Sequence, residues 1–377
     1  MINLAWKFIR FDRAKSIGVV TAMVISVFLI GQQLSLLAYL MGLMGNLIGN
    51  APVKENQVWI MEAQSKNINA INAIDQRLLQ EIASLPVVRS THPVVIAAAR
   101  ATFLDGKTAA VTLVGSDGPA FVMGPIDQKL MDGTRLDLLA PAAVSAEFFS
   151  AKNWDTDVVK GKAIEINGKR ATINLVTRNA QAFGASLMYG TLENVCHLGN
   201  IPASEVSLII ADLDAASNKE QFIQHIDSLY PHLKAWDAKE LQRSSVREIL
   251  ITSNMGMSFG TLVLFAMLSG FFIIGLTLYS SALDRIKDYG TLKAIGARKG
   301  YVKRLIITQA FLYGCLGYAI ALLLLFGFKL GVAKNGLLID ISIPFAAMLL
   351  VVTLFISVGG SLFAVRKIGK LEPASVF

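Results

Sequence analysis

Four long stretches of the chain contain no charged residue, and they dominate its pattern of hydrophobic and polar positions. A helix needs about 20 apolar residues to cross the hydrocarbon core of a bilayer, whereas a surface helix of a soluble protein carries a polar face. Each uncharged stretch is long enough to span a membrane. The pattern therefore predicts four transmembrane helices, at residues 16–48, 249–283, 305–328 and 341–365.

The segment 49–248 has a different pattern, in which short alternating runs are mixed with helical spacings. Within residues 163–176, Asn167 and Gly168 separate two alternating runs, a strong signal for a tight β-hairpin. Residues 94–114 predict another pair of strands, joined by a glycine-containing turn. Strands and helices of this kind indicate a mixed α+β domain.

Residues 237–250 have helical spacing and end this mixed domain. We expect this helix to run unbroken into the second span, which would join the domain rigidly to the membrane. The predicted fold class is an α-helical membrane protein with four transmembrane helices. An α+β extracytoplasmic domain is inserted between helices 1 and 2.

Basic residues are concentrated in three segments on one side of the predicted spans, namely 1–15, 284–304 and 366–377. Lys and Arg are enriched in cytoplasmic loops. We therefore expect both termini to be cytoplasmic, with 49–248 as a periplasmic domain and 329–340 as a short outer loop. The first of the basic segments alternates apolar and basic residues, which predicts an amphipathic helix lying on the membrane surface. The last is expected to be a cytoplasmic tail.

The amino-acid composition excludes several classes of protein. Only 16% of the residues are charged and 54% are hydrophobic, whereas soluble domains carry about 25% charged residues. These values argue against a soluble enzyme, a disordered chain and a coiled coil. The net charge of +8 is explained by membrane topology and anionic lipid, so the lipid bilayer is an expected partner and nucleic acid is not.

No motif for catalysis or nucleotide binding occurs in the chain. Ala297-Arg298-Lys299-Gly300 lacks the glycine spacing and the following hydroxyl of a phosphate-binding loop. The spans hold no acidic or basic residue at mid-depth, which argues against an ion-driven transporter. We expect no catalytic residue, metal or cofactor in this chain. Methionines in and near the first two spans fit core packing or lipid contact, and soft ligation of haem or copper remains the alternative.

The basic segment 284–304 contains a short amphipathic pattern. Residues 288–295 predict a helix that ends at Gly296 as its C-cap. Leu292 and Ile295 form an apolar edge with Tyr289 nearby. A surface helix of this kind between two spans is suited to docking a cytosolic protein, and a basic interfacial loop is the alternative.

Here the sequence resembles the FtsX-like and MacB-like ABC transporter permeases (type VII fold). Residues 288–297 match the motif Asp/Glu-x-Gly-x-Leu-Lys-Ala-Ile-Gly-Ala, which that family has between its second and third spans. Residues 371–377 are similar to the family's usual ending. The family also has the same layout, in which one span is followed by a large outer domain and three further spans. Within the family the chain is most similar to DevC-like and HrtB-like permeases, which have no fused ATPase.

The resemblance implies the permease subunit of an ABC exporter in the bacterial inner membrane, and not an enzyme. Two copies of a separate cytosolic ATPase would bind and hydrolyse ATP with magnesium. A second copy of the permease would complete a homodimer. A periplasmic adaptor (a membrane fusion protein) and an outer-membrane channel are further expected partners. The outer domain would move a hydrophobic or amphiphilic cargo, such as a glycolipid, haem or a drug-like molecule, by mechanotransmission.

The resemblance also assigns roles within the coupling segment. Tyr289, Leu292 and Ile295 would fill a groove on the ATPase. The remaining residues expected to couple the two proteins are Arg285, Asp288 and Lys293 at the rim of that groove, and Gly296 at the end of the helix.

Two other functions within the family stay open. One is a non-transporting transducer of the FtsX type, which activates a cell-wall hydrolase. The other is lipoprotein extraction of the LolC and LolE type. An integral-membrane enzyme is disfavoured because no catalytic constellation is found.

Overall fold

The computed structural model describes residues 2–11, 13–153, 159–214, 217–284, 287, 291 and 300–369. The chain divides into two compact units. The helical unit comprises Met1–Tyr39 and Gly256–Phe377, and the sheet unit comprises Leu40–Met255. The helices of the described residues are α1 (Ile2–Phe11), α2 (Arg13–Gly49), α3 (Leu78–Ala83), α4 (Phe148–Asn153), α5 (Leu192–Gly199), α6 (Lys219–Leu229), α7 (Ala238–Thr252), α8 (Met255–Asp284), α9 (Tyr301–Ala333) and α10 (Ile343–Gly369).

Four of these helices are long and apolar enough to cross a membrane. The candidate spans are Ser16–Gly49, Met255–Asp284, Tyr301–Ala333 and Ile343–Leu362. Every strand of the described residues lies in the chain between the first span and the second. The predicted fold class, four apolar helices with an α+β domain inserted after the first, is confirmed.

The helices of the helical unit pack through small residues and buried hydroxyl groups. A Cβ atom on Gly275 would lie 3.1 Å from the carbonyl oxygen of Gly360, so α8 and α10 approach closely at glycine. Ser357 Oγ of α10 donates a hydrogen bond to the carbonyl oxygen of Ala310 in α9, at 2.6 Å. Small residues and hydroxyl donors of this kind hold helices together in lipid, where apolar burial does not drive association.

The sheet unit is built on one ten-stranded sheet and a separate two-stranded ladder. Its strands are β1 (Gln57–Glu62), β2 (Ile74–Asp75), β3 (Val88–Thr102), β4 (Thr108–Ser116), β5 (Leu130–Asp132), β6 (Ala143–Glu147), β7 (Lys162–Ile166), β8 (Lys169–Thr177), β9 (Ser186–Thr191), β10 (Glu205–Val206), β11 (Leu208–Leu213) and β12 (Leu233–Asp237). The order along the main sheet is β12-β1-β11-β3-β7-β8-β5, with β4 pairing to β3 and β9, and β6 pairing to β8.

The predicted hairpin at residues 163–176 is confirmed as the β7–β8 pair. Asn167 and Gly168 both have positive φ, at 51° and 77°, as a two-residue turn between antiparallel strands requires. The predicted strand pair within residues 94–114 is also confirmed, as β3 and β4, which pair antiparallel from Val94 to Thr102. The start of β3 at Val88 extends the strand beyond the prediction.

Part of the main sheet curls into a ring of six strands. From β3 the pairing runs through β4 to β9 in one direction, and through β7 and β8 to β6 in the other. The seam between β6 and β9 is bridged by a side chain, because the backbone N–H of Tyr189 donates to Ser145 Oγ at 2.7 Å. Both residues are buried.

The strands near β12 are buried on both faces. Val58 and Ile60 of β1 belong to one core, beside α3, α5 and α6. Trp59 and Met61 point to the opposite face and join a second core. This alternation follows from the two-residue period of a strand. Part of the cover of this second face comes from the end of α2 and the start of α7.

The expectation that the last helix of the mixed domain runs unbroken into the second span is wrong. Helix α7 ends at Thr252, and α8 begins at Met255. Between them Asn254 has a φ of 53°, a left-handed conformation that cannot continue a right-handed helix. Asn adopts this conformation more readily than other side chains do, so the break lies at a residue suited to it.

Candidate functional site

All seven residues predicted to contact an ATPase lie outside the described residues. They are Arg285, Asp288, Tyr289, Leu292, Lys293, Ile295 and Gly296. Their described neighbours Lys287 and Thr291 are helical, and Thr291 Oγ1 donates to the carbonyl oxygen of Lys287 at 3.0 Å. The coupling helix at residues 288–296 therefore stays a prediction.

The structure instead brings together two helical segments of the sheet unit, which we call the stalk. The stalk consists of residues 40–49 of α2 and the whole of α7. Gln242 Nε2 of α7 donates a hydrogen bond to the carbonyl oxygen of Gly45 in α2, at 3.2 Å. A Cβ atom on Gly45 would lie 2.7 Å from Gln242 Cγ, so the absence of a side chain at Gly45 permits this close approach.

A loop of the sheet unit, residues 65–72, forms hydrogen bonds with both stalk segments. The buried hydroxyl of Ser245 accepts from the backbone N–H of Ile68 at 3.0 Å and donates to the carbonyl oxygen of Leu241 at 2.8 Å. Asn69 Nδ2 donates to the carbonyl oxygen of Met44 in α2, at 2.9 Å. Because the same loop contacts α2 and α7, the two stalk segments are tied to each other and to the domain.

The stalk also completes the second core of the sheet. Leu47 and Ile48 of α2 and Leu241 of α7 are buried with Trp59 and Phe121. Protein interiors are close-packed and transmit strain. A movement of either stalk segment would therefore reach the sheet through side-chain packing.

A groove of about 630 Å³ lies between the two stalk segments. Met41 and Gly42 line it from α2, and α7 contributes Val246 and Leu250 as apolar lining. The exposed arginines of α7 also line the groove; they are Arg243 and Arg247.

The helical unit has a groove of its own, of about 670 Å³, between α2 and α8. Ile25 and Phe265 are among its exposed apolar lining residues, and Thr21, Ser26 and Ser269 add hydroxyl groups. Every residue that lines it is uncharged. The groove fits the observation that the predicted spans contain no acidic or basic side chain.

His92 is the centre of a charged cluster on the sheet unit. His92 Nδ1 lies 2.9 Å from Asp117 Oδ2, and its Nε2 lies 3.8 Å from Asp212 Oδ2. Lys54 Nζ is 3.1 Å from the same Asp212 oxygen. The hydrogen bond with Asp117 raises the pKa of His92 against an opposing effect of burial. The sequence does not single out this histidine, because sheet pairing and not sequence spacing brings the carboxylates to it.

The methionines and cysteines that could act as soft ligands differ in their surroundings. Met257 is 74% exposed on α8, whereas Met44 is fully buried in the stalk. Cys196 and Cys315 are both free cysteines. Among the residues that the structure describes, no group of three or more His, Cys, Asp or Glu side chains could hold a metal ion.

The four apolar helices and the inserted mixed domain define a multi-span membrane protein. Residues 260–373, just under a third of the chain, match the family model described as FtsX-like permease C-terminal. This region is therefore similar to the C-terminal part of FtsX-like permeases, and the resemblance drawn from the sequence is confirmed. The match supports a permease component of the FtsX-like and MacB-like ABC transporter family rather than an enzyme.

The chain is also similar to solved structures at low identity. The periplasmic region of MacB from Actinobacillus actinomycetemcomitans is 13% identical with a TM-score of 0.39, and the match covers 50% of this chain and 92% of that one. The extracellular domain of the noncanonic ABC-type transporter YknZ from Gram-positive bacteria is 12% identical with a TM-score of 0.36. That match covers 48% of this chain and 100% of the YknZ domain. No curated protein sequence matches the chain.

Proposed function

We propose that this chain is the permease subunit of an ABC exporter in the bacterial inner membrane. It would couple ATP hydrolysis by a separate cytosolic ATPase to movement of its sheet unit. The observation that carries the proposal is α2, one uninterrupted helix that extends from the first apolar span into the second core of the sheet unit. At about 1.5 Å per residue its 37 residues are about 55 Å long, which exceeds the hydrocarbon thickness of about 30 Å.

This geometry supports a mechanical mode of action. Two ATPase copies that close on ATP and magnesium would pull on the coupling segment between α8 and α9. A tilt of the apolar helices would then move α2, whose far end is packed against the sheet. The substrate would need no charged tunnel through the spans, in keeping with their uncharged interiors.

The partners and the orientation belong to the same proposal. A second permease copy would make a homodimer, with both termini in the cytoplasm and the sheet unit in the periplasm. A periplasmic adaptor and an outer-membrane channel would receive the cargo. The proposed cargo is a hydrophobic or amphiphilic molecule, because the grooves of both units are lined largely by apolar side chains.

The coupling role is tested by placing charge on the apolar edge of the predicted coupling helix. We expect Leu292→Asp with Ile295→Asp to leave the chain inserted in the membrane but to abolish recovery of the ATPase and ATP-dependent export. Burying a carboxylate in an apolar protein contact is unfavourable. The measurement is a mild cross-link in native membranes, followed by purification of the chain and mass spectrometry of its partners.

The matched control makes the same pair of changes on the sheet unit, as Leu104→Asp with Leu136→Asp. These leucines are 80% and 60% exposed, so the ATPase should still be recovered with the control variant. Normal ATPase recovery with the coupling variant would refute the docking role. Recovery of a cell-wall hydrolase in place of an adaptor would favour an FtsX-type transducer, and recovery of a lipoprotein carrier would favour lipoprotein extraction.

A further inference from the structure

We propose that the groove between the two stalk segments binds the phosphate-bearing headgroup of an anionic membrane lipid. One part of the groove is cationic, the rest is largely apolar, and both of its sides lie in or next to candidate spans along the chain. The further step, that an anionic lipid is the class of cargo which the exporter takes up, rests on the proposed function. Binding of the lipid itself needs neither ATP nor the ATPase.

The cationic part of the groove consists of Arg243 and Arg247. They are four residues apart on α7, so they lie on one helix face about 6 Å from each other. Both are exposed, and neither makes a hydrogen bond or an ion pair with a described residue. Glu240, one turn earlier on α7, does not line the groove. Two free guanidinium groups at this spacing suit the oxygens of one phosphate group.

The remainder of the groove suits an acyl chain. Val246 and Leu250 follow α7 as a stripe beside the two arginines, and Met41 faces the groove from α2. A Cβ atom on Gly42 would meet no atom within 4 Å, so the groove is open at this position. Cationic and apolar surfaces that adjoin in one groove fit an amphiphile better than a free ion or an uncharged lipid.

The place of the groove in the chain points to the membrane as the source of this ligand. Leu250 precedes the start of the second candidate span, Met255, by only five residues. Met41 and Gly42 lie within the first candidate span itself, Ser16–Gly49. Both sides of the groove therefore lie in or next to a candidate span along the chain, and lipid headgroups at the bilayer surface are the ligand source that we propose.

Binding is measured on the purified full-length chain in detergent, by native mass spectrometry with short-chain phosphatidylglycerol. Phosphatidylcholine of the same chain length and inorganic phosphate serve as the other probes. We expect phosphatidylglycerol to bind best, and Arg243→Gln with Arg247→Gln to weaken its binding by about tenfold or more, since each tenfold is about 1.4 kcal/mol. The control pair Arg89→Gln with Arg170→Gln removes the same charge from exposed positions on β3 and β8 and should bind as the unmodified chain does.

A second variant tests the shape of the groove without changing its charge. Gly42→Leu would place a side chain in the open space and should also weaken phosphatidylglycerol binding. Gly327→Leu is its control, because a Cβ atom there likewise meets nothing within 4 Å. Equal binding of phosphatidylglycerol and phosphatidylcholine, equal binding of inorganic phosphate, or unchanged binding by either groove variant would each overturn the proposal.

The same preparations separate this site from the proposed function. If the groove variants lose lipid but still recover the ATPase, the site stands apart from ATPase docking. If the unmodified chain binds phosphatidylglycerol but recovers no ATPase, the exporter proposal fails and the lipid site survives. If Gly42→Leu abolishes a dimer of the chain without changing lipid binding, the occupant is a second copy and the lipid site is refuted.

Discussion

At the scale of single residues, His92 connects three separate parts of the sheet unit. It belongs to β3, Asp117 follows β4, and Asp212 belongs to β11. A protonated His92 is attracted by both carboxylates, while Lys54 opposes that charge from beside Asp212. Only 14% of the His92 side chain is exposed, so water screens these interactions only in part. The cluster therefore makes the stability of the sheet unit depend on pH.

We predict that His92 stabilises the fold at acidic pH and loses this effect at alkaline pH. Its pKa is raised in the folded state by the hydrogen bond with Asp117. The contribution is thus complete below the ordinary histidine pKa of about 6.5 and disappears as the pH rises through the raised value. A charge-assisted hydrogen bond of this kind contributes about 1 kcal/mol or slightly more to the free energy of unfolding.

The measurement is thermal unfolding of the full chain in detergent for the unmodified protein and His92→Gln, at about pH 5.5 and about pH 8.5, on either side of the ordinary histidine pKa. The loss of stability caused by the substitution should be larger at the acidic pH. His225→Gln, at an exposed position of α6, should show no such difference. A loss that is equal at both pH values would contradict the prediction.

At the scale of elements, two adjacent serines of α7 each form a hydrogen bond with the loop at residues 65–72. One of these bonds is buried and the other is exposed. Ser245 is fully buried and is the acceptor for the backbone N–H of Ile68. Ser244 Oγ donates to the carbonyl oxygen of Lys66, at 2.9 Å, in an exposed position. We predict that Ser245→Ala costs about 1–3 kcal/mol, because the buried N–H of Ile68 is left without a partner.

Ser244→Ala should cost much less than Ser245→Ala, since water can replace the lost donor at Lys66. Thermal unfolding and limited proteolysis of the loop at residues 65–72 would measure the difference. Equal effects of the two substitutions would mean that the loop does not fasten the stalk in the way the contacts indicate.

The parts of the fold that depend on local sequence patterns can be predicted from the sequence. The four spans and the hairpin at Asn167-Gly168 are local patterns, and the structure confirms them. The contact between Gly45 and Gln242 joins residues 197 positions apart, and no spacing in the sequence points to it. The convergence of carboxylates on His92 depends in the same way on sheet pairing.

The break at Asn254 escaped prediction for a different reason. It lies inside a stretch without charged residues, where the hydrophobic pattern favours one continuous helix. Its left-handed φ of 53° is a backbone property that the pattern does not encode. The seven predicted coupling residues between positions 285 and 296 lie outside the part of the chain that the structure describes, so their role rests on the family resemblance.

At the scale of the whole molecule, the mixed domain does not end where the apolar runs begin. Its second core takes Leu47 and Ile48 from α2, a helix whose greater part is an apolar span, and Leu241 from α7. A segment cut at the sheet, residues 56–237, would lack all three of these side chains. Trp59 and Phe121, which are fully buried, would then lose part of their cover.

We therefore predict that residues 40–252 fold on their own and that residues 56–237 are far less stable. Burial of one large apolar side chain contributes about 1.5–3 kcal/mol, so the loss of three should cost about 5 kcal/mol or more, comparable to the stability of a typical domain. Urea unfolding followed by circular dichroism would measure the difference, with residues 40–252 carrying Leu104→Asp as a control that changes an exposed leucine only. Equal stability of the two segments would mean that the stalk is attached to the sheet without completing its core. Side-chain packing would then not transmit a movement of α2 to the sheet. The mechanical part of the proposed function would be refuted by the same result.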